Sequence, residues 1–315
     1  MRNFIKICGA MFVGIALQSV AGDKVNETLG VGDEKNVSVE NLRGKVSIIG
    51  WDKNEVTVSG EIDDKAENFI FEKDGSYIKI KVLMPHNLNG SWNDQGSDLM
   101  IKVPQNMRVD FTGVSTDITI EHMAKSTEIK SVSGNVTIDS LSQLVEVTSV
   151  SGDINSKNLS GKLNLSTVSG DIRDRQSTGR LTLKAVSGSL KTDSKAKEVS
   201  VNTVSGEIDL SLADVDELTI STVSGDVDGS LSLNDSGLVK MSSVSGDLSL
   251  TFENDVQASF RMKSNASGDL INHITDEEAK HAKYGPSSKL EFQTGNGKAS
   301  VKASTVSGRV KVSKK

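Results

Sequence analysis

The chain is poor in the residues from which most active sites are assembled. Aromatics are 4% of its 315 residues, and it has three prolines, four histidines and one cysteine. So few rings exclude a core built on large aromatics, and Trp51, Trp92, Tyr77 and Tyr284 give little platform for sugars. The single cysteine, Cys8, lies in the opening segment, so the rest of the chain has neither a disulfide nor a thiolate metal site. No GxSxG elbow, HExxH pair, GxGxxG turn or phosphate loop occurs, which leaves catalysis without a recognisable nucleophile, zinc pair or anion cradle. Catalytic residues and cofactors are therefore expected to be absent.

One apolar run stands out. Arg2 and Lys6 precede Ile7 to Leu17, and Ser19-Val20-Ala21 supplies small residues for cleavage after Ala21. That run is too short to span a membrane, so it reads as an export signal to the periplasm or the outside. Lys6, two residues before Cys8, speaks against a lipid anchor. Cleavage takes Arg2 and Lys6 from the 36 basic residues and none from the 42 acidic ones, leaving a formal charge of −8. An acidic chain without a basic cluster excludes nucleic acid and anionic membranes as partners. No second apolar stretch approaches spanning length, so the mature chain is expected to be soluble.

What the chain has in quantity is glycine, 28 in all, much of it in a recurring Val-Ser-Gly. The glycines fall at Gly134, Gly152, Gly170, Gly188, Gly206, Gly225, Gly246 and Gly268, eighteen residues apart four times and then nineteen, twenty-one and twenty-two. Thr116 sits where an earlier member would stand. Between corners, apolar pairs alternate with polar residues: Val145/Val147, Leu163/Leu165, Leu181/Leu183, Val199/Val201 and Leu218/Ile220. Period-two alternation means half-buried strands. The period is too short for a propeller blade, and no asparagine ladder marks a leucine-rich repeat. Eighteen residues at about 3.3 Å each make a loop of roughly 60 Å, one coil of a narrow solenoid with coils about 4.8 Å apart.

The expected fold is all-β: a right-handed parallel β-solenoid (β-helix) with ~18-residue coils and an irregular β-rich N-terminal cap, the hand following the usual parallel crossover. Thr167 and Val168 both read as inward, so alternation slips there and Gly170 lets the chain bend. The parts are a signal peptide (1–21), a cap with the first coils (22–114), the regular repeats (115–271), a charged insertion (272–289) and a closing coil (290–315). Within the cap, Asp74-Gly75 reads as a hairpin turn and 86–97 as a polar loop. Lys311, Lys314 and Lys315 read as charges that guard an exposed edge.

Three clusters carry chemistry worth weighing. His273 and His281 flank Glu277 and Glu278, but ligand number and spacing are poor for a metal, and a solvated insertion fits better. Arg173, Arg175 and Arg180 could neutralise an acidic polysaccharide, or could simply keep the surface soluble. An acid follows most corner glycines: Asp153, Asp171, Glu207, Asp226, Asp247 and Asp269, with Asn135 and Ser189 as exceptions. Stacked about 5 Å apart, such carboxylates repel by roughly 1 kcal/mol per pair in water. Capping of backbone N–H groups would offset this, and a row of weak Ca2+ sites would too. Capping is preferred, because Ser189 breaks the row and second ligands are lacking.

NLRGKVSIIGWDKNEVTVSGEI, DLMIKVP, the serial VSGDI corners, and TGNG followed by TVSGRVKV together resemble the bacterial adhesin-like family, a β-strand-repeat domain of unknown function. The resemblance covers residues 36–315. It implies an exported, solenoid-like cell-envelope protein and supplies no catalytic residues. The expected function is an exported, non-catalytic binding or structural protein whose partner is an unknown envelope component, protein or glycan. A polysaccharide-active β-helix enzyme and a calcium-responsive envelope scaffold are the alternatives.

Overall fold

The computed structural model describes residues 24–85, 96–253 and 255–315, which form 25 strands and no helix. The opening segment with its cleavage site, and most of the polar loop 86–97, lie outside the described residues. The fold is the expected β-solenoid. Each coil crosses two parallel ladders with a Val-Ser-Gly corner between them. Ser160–Thr167 lies in the first ladder and Ile172–Arg175 in the second, and each pairs in parallel with the strands eighteen residues before and after. The longer coils keep the pattern, with shifts of nineteen and then twenty-one residues.

Alternation fills the interior column by column. Val145, Leu163, Leu181, Val199, Leu218 and Val239 stack in the first ladder, and Val136, Ile154, Ile172, Leu190, Ile208 and Val227 in the second, all buried. Each fully buried aliphatic contributes about 1.5–3 kcal/mol, and coil-on-coil stacking repeats the gain. Residues 112–251 contain no aromatic at all. Rings gather at the ends instead. Phe260 stacks on Phe292 at 4.4 Å and meets Phe252 edge-on at 5.6 Å, while Phe69 and Phe111 are buried near the opposite end.

The ends depart from the order of the sequence. Asn36–Trp51 runs through both ladders, yet it is not the outermost coil. On one side it pairs with Arg108–Glu121, and on the other with Tyr77–Leu83 and Ser97–Pro104. The last coil in sequence, Ala299–Thr305 with Val310–Lys314, slots between Val227–Ser242/Leu248–Phe252 and the coil made by Ala258–Ser264 and Leu270–His273. Residues 299–314 therefore lie inside the stack and do not close it, and Lys311 and Lys314 lie on an interior strand and not on an edge. Antiparallel strands cover the outer coils: Lys24–Gly30, Glu55–Glu61 and Asn68–Asp74 at one end, Ser288–Gln293 at the other. The expected hairpin is present, with Gly75 and Ser76 as its turn residues. Arg108–Glu121 crosses the boundary drawn at 114/115 without a break, so cap and repeats are one continuous stack.

Candidate binding surface

The corner that joins the ladders carries the most regular surface of the molecule. Alternation does not slip there. Leu163, Leu165 and Thr167 point inward, and Val168 points out. The expectation of an inward Val168 is thus corrected. The inward position before each valine is small or carries a hydroxyl, as at Ser131, Ser149, Thr167, Ala185, Thr203 and Thr222. At most corners that hydroxyl accepts the N–H of the glycine three residues on, for instance Thr167 Oγ1 from Gly170 at 3.1 Å and Thr222 Oγ1 from Gly225 at 2.8 Å. Such a turn is an ordinary use of Ser and Thr.

Glycine is required by close stacking more than by turn geometry. A Cβ on Gly170 would lie 2.1 Å from the carbonyl oxygen of Gly152, and one on Gly152 would lie 1.8 Å from that of Gly134. Backbone rests on backbone along the whole corner, through Gly246, Gly308 and finally Gly268. Thr116 takes the corner place between Gly44 and Gly134, as its position in the repeat suggests.

The outward valines form a continuous ridge. Val132, Val150, Val168, Val186, Val204, Val223, Val244 and Val306 are each 39–47% exposed and follow one another coil by coil. Backbone bonds tie the column together, among them Ser169 N–H to Val150 O, Ser187 N–H to Val168 O and Ser307 N–H to Val244 O. From Val132 to Val306 the ridge is roughly 34 Å long at the usual strand spacing. It offers on the order of 500 Å2 of apolar surface, near the upper end of what a monomer leaves contiguous.

Beside the ridge runs the acidic row, and its carboxylates cap backbone amides of the next coil. Asp117 Oδ1 accepts from Asn135 N–H at 2.8 Å, Asn135 Oδ1 from Asp153 N–H at 3.2 Å, and Asp153 Oδ1 from Asp171 N–H at 2.9 Å. Asp171 caps Ser189 at 2.9 Å, Asp226 caps Asp247 at 2.9 Å, and Asp247 caps Arg309 at 2.8 Å. The relay breaks at Ser189 and Glu207, and Asp269 lies past Arg309 in the outermost coil. Arg173 bridges Asp153 and Asp171, and Arg309 pairs with Asp247, so cations answer part of the repulsion. Arg180 belongs elsewhere: it pairs with Glu198 on the first ladder. Among the described residues no three acidic, histidine or cysteine side chains converge as metal ligands. His281, Glu277 and Glu278 line an open depression of about 580 Å3 that Lys280 and Lys289 share.

Two buried carboxyls escaped the sequence reading. Asp174 lies in the core of the second ladder and accepts from Ser156 Oγ at 2.6 Å, Ser177 Oγ at 2.5 Å and Thr192 Oγ1 at 3.0 Å. Burial pushes its carboxyl above the usual range, and the three hydroxyls only partly resist this. Asp63 is the opposite case. Burial pushes it up, but Arg43 Nε at 2.5 Å and Nη2 at 2.8 Å, with the Lys65 amide, hold it below the usual range. Strict alternation in IRDR, inward at Ile172 and Asp174, was the available signal for the first. Arg43 and Asp63 sit in the irregular cap, where no period points to them.

The model of the family Toastrack DUF4097 matches this chain twice, over residues 17–176 and 160–313. The chain belongs to that family. The two matches share the coil around Gly170, and each covers one irregular end with part of the regular stack. No curated protein matches the chain. Among solved structures, a "putative cell adhesion protein" from Clostridium sporogenes is 10% identical, covering 93% of this chain and 100% of its own, at a TM-score of 0.25. A "putative lipid binding protein" from Parabacteroides distasonis is 13% identical over 94% of this chain and 99% of its own, at a TM-score of 0.47. Neither likeness is close enough to bear on function. The Toastrack domain itself has no established activity.

Proposed function

We propose that this Toastrack protein is an exported, non-catalytic binding or structural component of the cell envelope that works by presenting its corner surface. The observation that carries the reading is the valine ridge. Eight half-exposed valines on one line contribute less to the core than their inward neighbours, and apolar surface of that extent is a usual mark of an interaction site. The non-catalytic part is supported by how the charges are used. Asp153, Asp171, Asp226 and Asp247 of the row are engaged in capping or ion pairs, and Asp174, a carboxyl raised by burial, is sealed from solvent. Export rests on residues 1–21, and no helix among the described residues is long and apolar enough to cross a membrane.

Replacing Val168, Val186 and Val204 together by threonine tests the reading. Threonine keeps the β-branched shape, so each exposed change is expected to cost within about 0.5 kcal/mol. The variant should keep its circular dichroism spectrum and lose retention on envelope fractions. Full retention by a folded variant refutes the ridge as the working surface.

A further inference from the structure

We infer that the ridge pairs two copies of this chain side by side, with their stacks parallel and a two-fold axis along the line of valines. The inference rests on the ridge being a binding surface and names its partner. Three properties select a second copy.

The first is size. With the rows on either side, the strip widens from the valines alone toward the roughly 800 Å2 per partner that a stable interface buries. The second is spacing. Apolar knobs about 4.8 Å apart find the best-matched row on another stack of the same pitch, and a second copy supplies one. The third is charge. One side of the ridge carries Asp117, Asp153, Asp171, Glu207, Asp226 and Asp247. The row on the other side, from Lys130 through Thr148, Ser166, Lys184 and Asn202 to Ser221, has two lysines and no acid, with Lys130 paired to Glu128 of the row beyond. A two-fold axis along the ridge sets the acidic side of each copy against the lysine-bearing side of its partner. An axis across the ridge would set acid against acid, which is costly at close range. The same acidic row disfavours an anionic lipid surface at this place.

The chain without residues 1–21 has no cysteine, which makes the geometry measurable. Val132→Cys, Val186→Cys and Val244→Cys, each alone, are expected to give disulfide-linked dimers on mild oxidation, because every ridge residue meets its own counterpart on the axis. Sedimentation should show the unmodified chain as a dimer, and the threonine triple variant should raise its dissociation constant by at least about tenfold. Linkage at Val186→Cys alone would indicate an antiparallel pair and overturn the arrangement. A chain that stays monomeric while its envelope retention still depends on the valines overturns self-pairing and leaves the ridge as a surface for another partner. A monomer whose retention ignores the valines overturns both.

Discussion

Asp174→Asn is expected to stabilise the protein at neutral pH and to leave it unchanged in acid. In the folded state Asp174 is held by three hydroxyls, and its neighbour Asp193 raises it further. Desolvation of a buried carboxylate costs several kcal/mol, and hydrogen bonds to a charged group return about 1.5–3 kcal/mol each. The raised pKa shows that desolvation wins. For a group whose folded pKa lies above its unfolded value, the stabilisation is complete below the unfolded pKa and is lost as pH rises through the folded one. The wild type therefore forfeits stability on going from acid to neutral pH at this site. Asparagine does not titrate there, and the hydroxyls can turn to serve its amide. A gain of about 1 kcal/mol at pH 7, or about 2 °C in melting temperature for a chain of this size, is expected. Asp174→Leu should do the reverse, because it orphans Ser156, Ser177 and Thr192 and costs about 3 kcal/mol. Calorimetry of the three proteins from pH 3 to pH 8 decides the matter. An Asp–Asn gap that stays constant with pH, or an asparagine variant less stable at pH 7, refutes the reasoning.

Gly170→Ala should lower stability by about 3 kcal/mol or more, since its Cβ meets a backbone oxygen that only separation of two coils could relieve. Gly75→Ala, at φ +60° with open space around it, should cost only about 1 kcal/mol; equal losses in urea titrations would contradict the stacking argument. Millimolar calcium is expected to leave the melting temperature unchanged. Asp226→Asn with Asp247→Asn should be nearly silent, since each amide oxygen still caps the next coil, whereas alanine at both sites should cost about 1 kcal/mol each. A calcium-dependent rise abolished by the asparagine pair would revive the metal reading.

The period of the repeat was legible because stacking imposes it: a coil with a different inward pattern would leave Leu163 facing a polar residue. The capping role of the acidic row was legible too, as an answer to repulsion, although the amide it serves belongs to the next coil and not to its own turn. Val168 reads as inward because it is apolar, while the inward place goes to Thr167, whose hydroxyl accepts the Gly170 amide. The swapped order of the last coils left no mark, since Gly268 follows Gly246 at a distance any long coil could bridge. In the structure, Asp247 Oδ1 reaching the amide of Arg309, sixty-two residues on, is one of the bonds that show which coil lies against it.

That insertion has a consequence for time. A chain emerging from its N-terminus has completed 258–273 before 299–314 exists, yet 299–314 must lie beneath it. The outermost coil at this end cannot take its place by simple accretion on the growing stack. It has to wait, or dock and let go, until residues 299–314 arrive. Assembly at this end thus includes an intercalation, and the finished end is a latch whose tongue is the coil 299–314.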